Sequence, residues 1–151
     1  MPVCRMRRSM LIERNGAVAN RANFMSDRQI KVASSGDVME GQLFAAQAEK
    51  LPILLSRVDG AVCAVRNRCP HMGMKMSRGK ISNGIIQCPW HGSKFDICSG
   101  NNVDWVNAFA GIPMPRWTHK IISMGKSPSA LTTLPVEETE EGIFVSIPET
   151  V

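Results

Sequence analysis

Three dipeptides set the local grammar of this 151-residue chain: Asp59-Gly60, Asn83-Gly84 and Glu141-Gly142. Each falls between two short segments rich in apolar and β-branched residues. A glycine pair so placed favours a tight hairpin, because the central turn positions need a backbone conformation that Gly, Asn and Asp tolerate. The flanking segments are LPILLSRV and AVCAVRN, KIS and IIQC, and LPVEET and IFVSI. No sustained 3.6-residue period follows residue 26; QLFAAQAEK at 42–50 offers one helical turn at most, and THKIISMGKSPSALTT at 118–133 reads as a long loop. The expected fold class is all-β, built of antiparallel hairpins, with any helix incidental.

The length suits one domain with a real core. The net charge of +5 is unevenly placed, since residues 1–24 hold Arg5, Arg7, Arg8, Arg14 and Arg21 against Glu13 and so carry +4 of it. Residues 1–26 therefore read as a basic arm, disordered or an upstream extension of the frame, and residues 27–151 as the folded domain. The arm has one aromatic and no lysine, which is poor equipment for nucleic acid. An arginine-rich, acid-poor opening also has the look of an organellar transit peptide, which keeps a stroma or matrix location as the second reading after the cytoplasm. No apolar run approaches the length of a membrane anchor.

Five cysteines, Cys4, Cys63, Cys69, Cys88 and Cys98, make an odd count, which argues against a disulfide framework and for a reducing compartment. Cys63, on an apolar strand, and Cys98, after Ile97, are expected to be small buried hydrophobes. Cys69 and Cys88 differ, since each has a histidine close by: Cys69-Pro70-His71, sixteen residues, then Cys88-Pro89-Trp90-His91. Chance core residues fit this duplicated C-x-H…C-x-x-H pattern badly, and a cysteine nucleophile needs one base rather than a second pair. A metal is left. Zinc would accept two sulfurs and two nitrogens, though its sequences usually pair like with like; two metals would let each loop give its cysteine to one and its histidine to the other.

The stretches CPHMG at 69–73 and CPWHGSKFD at 88–96, with the lead-in ILLSRVDGAVCAVRNRCPH, resemble the Rieske 2Fe-2S proteins, in particular their soluble ferredoxin branch. The resemblance implies a Rieske-like fold of three antiparallel sheets, with a small cluster-binding subdomain whose loops span about 66–100. It implies one 2Fe-2S cluster, with Cys69 and Cys88 on one iron and His71 and His91 on the other. Two ferric ions, two sulfides and two thiolates sum to zero, so such a cluster takes an electron more readily than a four-cysteine cluster. Its potential lies at about −150 to +300 mV against about −400 mV. The loop disulfide of the respiratory members would fall at Met74 and Trp90 and is not expected. Of the hydroxyl donors around the cluster, Ser93 stands at the serine position and Phe95 replaces the tyrosine, which implies a low to intermediate potential. AGIPMP, Ala110 to Pro115, is the candidate third covering loop, while Met72, Met74, Met76 and Trp90 are the candidate apolar wall.

The function expected is one-electron transport, not catalysis: a ferredoxin between a reductase and an oxygenase or similar acceptor. The alternative is a non-catalytic Rieske subunit of a larger redox or photosynthetic complex. Rieske oxygenases add a mononuclear iron on two histidines and a carboxylate, and only His119 is left over in this chain. Arg66, Arg68, Lys75, Arg78, Lys80 and Lys94 come with no acid between residues 66 and 94, a charge pattern suited to steering an acidic redox partner.

Overall fold

The computed structural model describes residues 27–148; the basic arm, with Cys4, lies outside them. Strand β1 (Asp27–Ala33) and a short 3-10 turn at Ser35–Asp37 lead to β2 (Phe44–Ala48), β3 (Leu51–Val58) and β4 (Ala61–Arg66). Next come β5 (Lys80–Ser82), β6 (Ile85–Gln87), β7 (Lys94–Asp96), β8 (Asn102–Asp104), and the small hairpin β9 (Ala108–Phe109) and β10 (Ile112–Pro113). Helix α1 (Arg116–Ile122) precedes β11 (Thr133–Leu134), β12 (Val136–Thr139) and β13 (Gly142–Pro148). The strands form three main antiparallel sheets, ordered β1-β13-β12, β11-β4-β3-β2 and β5-β6-β7-β8, with β9-β10 as a separate ribbon.

The hairpins fall where the dipeptides placed them. Asp59 and Gly60, at φ 51° and 81°, and Asn83 and Gly84, at φ 49° and 74°, both adopt the left-handed conformation of a two-residue turn. At the third, Glu140 and Glu141 form the turn and Gly142 opens β13. Strand β3 sits in the middle of the stack. Its Ile53 and Leu55 face one core with Val145 and Ile143, while Leu54 joins a second core with Val65, Ile86 and Phe95. A strand buried on both faces reads as the continuous apolar run LPILL, not as alternation.

Two segments differ from expectation. Residues 44–48 are a strand, not a helical turn, because β3 offers a free edge that pairs with all five, Phe44 to Leu55 through Ala48 to Leu51. Residues 116–122 are a helix inside what reads as loop; Pro115 enters it, and Met124 and Gly125, at φ 51° and 74°, end it. The larger correction concerns the cysteines: Cys63 on β4 and Cys98 after β7 form a disulfide, and Cys98 is exposed. Cys98 is held outward because the Asp96 carboxylate accepts from the amides of Cys98 and Ser99, at 2.9 and 2.8 Å. The bond ties the middle sheet to the β5–β8 sheet across 35 residues. That interval contains both Cys/His pairs.

Candidate metal centre

The two Cys/His segments are the connections from β4 to β5 and from β6 to β7, side by side at one end of the β5–β8 sheet. Each starts with Cys-Pro, and proline restricts the preceding cysteine to extended backbone. From there the two chains follow one plan. The Cys69 amide donates to the Met74 carbonyl (2.8 Å) and its carbonyl accepts from Gly73 (2.7 Å); the Cys88 amide donates to Ser93 (2.8 Å) and its carbonyl accepts from Gly92 (3.2 Å). Gly73 and Gly92 take the same left-handed turn, φ 73° and 74°. The amides of His71 and Met72 point at the Cys69 sulfur, and those of Trp90 and His91 at the Cys88 sulfur. Both glycines escape a reading that looks only for metal-binding side chains. Their signal is the matched spacing C-x-x-x-G.

Cys69 and Cys88 are buried free thiols that hydrogen-bond to each other. As the bond's acceptor, Cys88 has its pKa pushed down to about 6; the same bond, then burial, pushes Cys69 up. A buried pair so close favours losing charge to a cation. The histidines form a second pair, with Nδ1 of His71 3.2 Å from Nδ1 of His91 and the rings edge to face at 4.7 Å. His71 is fully buried, and its Nε2 lies 3.3 Å from the Ser123 carbonyl. A carbonyl only accepts, so Nε2 carries the proton and Nδ1 is left bare toward the site. Metal-binding histidines are commonly oriented by this kind of carbonyl contact. Burial, then the neighbouring His71, lowers the pKa of His91. Among the described residues no three Cys, His, Asp or Glu side chains gather around one point as a single ion would need. Two sulfurs and two nitrogens in separate pairs suit two metals.

The surrounding residues sort themselves less evenly than expected. Ser93 is fully buried, and its Oγ accepts from the Val106 amide (3.1 Å), which leaves the hydroxyl proton to donate elsewhere. Phe95 is fully buried behind Trp105, which in turn packs its ring against His71 at 5.5 Å. Met76 is in the core, pinned by its amide to the Asn67 side chain (2.8 Å), whereas Met72, Met74 and Trp90 are exposed. Residues 72 to 76 are not a strand, so the apolar wall reduces to an exposed rim. Met74 and Trp90 line a common crevice without a disulfide. The β9–β10 ribbon, which holds most of AGIPMP, flanks the second loop. The His91 carbonyl accepts from Asn107 (3.0 Å) and Ala108 (3.1 Å), and Phe109 lies 5.9 Å from the His91 ring. The basic residues flank both loops, Arg66 and Arg68 beside Cys69 and Arg78 and Lys80 beside Cys88. Neither ion pair found among the described residues, Arg28–Glu49 and Arg57–Glu138, uses any of them.

Two matched loops on stacked antiparallel sheets, each supplying one buried thiol and one imidazole so that the sulfurs pair and the nitrogens pair, define a β-domain built for an iron–sulfur cluster. The chain belongs to the Rieske [2Fe-2S] domain family, whose model matches residues 28–115, and it is an electron carrier with a 2Fe-2S cluster. It is 32% identical over 76 residues to the ferredoxin component of the naphthalene 1,2-dioxygenase system of Pseudomonas putida, spanning 50% of this chain and 73% of that one. To the biphenyl 2,3-dioxygenase ferredoxin component of Rhodococcus jostii it is 30% identical over 70 residues, 46% of this chain and 65% of that one. Among solved structures, the Sphingomonas yanoikuyae B1 ferredoxin superposes with a TM-score of 0.60 at 24% identity, over 80% of this chain and all of that one, a likeness of fold alone. Among the described residues no helix is long and apolar enough to cross a membrane.

Proposed function

We propose that Cys69 and Cys88 bind one iron and that His71 and His91, through Nδ1, bind the other. The folded unit is residues 27–151, and it passes single electrons from a reductase to the oxygenase of a multicomponent dioxygenase system, in the cytoplasm. The observation that carries this reading is the pairing of two thiols and two Nδ1 atoms on loops of identical hydrogen-bonded plan. The cluster supplies the one-electron chemistry. The chain supplies the neutral imidazoles and the amide donors to sulfur that raise its potential, the Ser93 hydroxyl, and a wall of Phe95 and Trp105 that excludes water. The cations flanking the loops, in no ion pair among the described residues, suit a partner with an acidic face, so association should slow as salt rises.

Purified protein should show the visible absorption of a 2Fe-2S centre and, on reduction, the low g-average EPR signal of mixed nitrogen and sulfur ligation. It should then support turnover when combined with a reductase and a dioxygenase. Flat visible spectra with bound zinc would sink the assignment. Trp117, Ile121 and Met124 on and after α1 are exposed, which favours a second reading, a Rieske subunit docked permanently in a larger complex. Co-elution with fixed partners through purification, with no free pool, would decide for it.

A further inference from the structure

The plan shared by the two loops ends at their histidines. His71 is buried completely while His91 is partly open. The difference arises in residues 116–126, which lie beyond the 28–115 matched by the family model. Helix α1 is anchored at the exit of the β9–β10 ribbon, where His119 Nε2 donates to the Met114 carbonyl (2.9 Å). The turn that follows sets the Ser123 carbonyl over His71 Nε2 at 3.3 Å. Lys126 then reaches back, its ammonium donating to the His71 main-chain carbonyl. Trp105, whose ring lies against His71, donates Nε1–H to the Lys126 carbonyl (3.1 Å). Three contacts at the C-terminal end of the segment thus converge on His71 and on Trp105 beside it, while the His119 bond holds the helix to the ribbon.

We propose that residues 116–126 are a cap that seals the outer edge of His71 and leaves His91 as the one imidazole that a redox partner touches, with Lys126 and Trp105 positioning the cap. The proposal rests on reading His71 and His91 as the nitrogen ligands. Three features carry it. The sealed nitrogen is Nε2, the edge that would otherwise face outward once Nδ1 is engaged. The seal is a hydrogen bond, so closure is specific and not mere crowding. The cap buries little of its own helix, Thr118 alone, so the hydrogen bonds at its C-terminal end decide its position.

The test is carbethoxylation of the full, cluster-loaded chain by diethyl pyrocarbonate, with peptide mass mapping of His71 and His91, alongside visible and EPR spectra of the same sample. In the native protein His91 should be modified and His71 protected. Lys126→Ala should raise His71 modification about tenfold, the population change that loss of one such hydrogen bond brings, with His91 modification unchanged. Lys126→Arg should restore protection, since a guanidinium can still donate to the His71 carbonyl. Equal modification of both histidines in the native protein, or no response to Lys126→Ala, would overturn the cap. Absence of a 2Fe-2S spectrum would instead overturn the ligand reading beneath it, so the two failures are separable.

Discussion

Cys69 and Cys88 open loops with the same backbone plan, yet one loop is roofed by a segment 52 residues further along, and the other is gripped from the side by the ribbon that follows it. The residue after each glycine shows the same divergence: Met74 in the first loop is exposed, and Ser93 in the second is fully buried. The plan is local, written by Cys-Pro and a glycine four residues on. What each loop faces is decided by the sheets and by later chain. A pair of equivalent loops thus becomes a centre with a sealed side and an open side.

The largest effect should come from releasing both loops together. The Cys63–Cys98 disulfide spans 35 residues that include both, and loop-closure entropy at that length is worth about 4 kcal/mol. Cys63→Ala with Cys98→Ala should lower unfolding stability by about that much in denaturant titration. An unchanged midpoint would mean that the sheet stack alone holds the loops.

The glycines separate the loops next. A Cβ on Gly92 would sit 2.1 Å from Asn107 Oδ1 and 2.9 Å from the Ala108 Cβ, whereas one on Gly73 meets the movable Arg68 side chain at 2.8 Å. Gly92→Ala should cost about 3 kcal/mol and much of the cluster content, by crowding on top of left-handed backbone strain. Gly73→Ala should cost about 1 kcal/mol, the strain alone. Equal losses, read by absorbance per protein, would show that the ribbon does not grip the second loop.

Ser93→Ala against Met74→Leu tests the residue after each glycine. The first should lower the reduction potential and cost about 1 kcal/mol for the orphaned Val106 amide; the second should leave the potential in place. Voltammetry showing no shift for Ser93→Ala would remove the hydroxyl from the account.

The smallest effect lies away from both loops. Arg57 holds Glu138 at a pKa of about 2, below its ordinary 4.5, chiefly by their hydrogen bond. A depressed carboxyl stabilises fully above its unfolded pKa, so this contribution is lost as pH falls from about 4.5 toward 2. Glu138→Gln should slightly flatten acid unfolding in that window and leave the cluster spectrum unchanged.

Much of the centre was legible because its parts are close in sequence. The C-x-H and C-x-x-H spacings, the Asp59-Gly60 and Asn83-Gly84 turns and the apolar run of β3 each specify their own geometry within a few residues. Cys63 and Cys98 misled, since an odd count says nothing of which cysteines meet, and these two do so only because separate sheets stack. The strand at 44–48 was decided by the open edge of β3, and α1 by hydrogen bonds at its far end, not by propensity in RWTHKII. Trp105 and Lys126 carried no signal, being ordinary residues until His71 lies between them.

By itself the sequence determined an all-β chain, four Cys and His side chains in two mixed pairs, and hence the kind of cluster it takes. Those properties depend on turn chemistry and ligand type, which act over a few residues. Tertiary structure alone decided that the two loops lie against each other, that a disulfide encloses them, and that one histidine is covered while the other is open. Each of these joins residues from 19 to 55 positions apart, and only the packing of sheets and cap brings such residues within hydrogen-bonding reach.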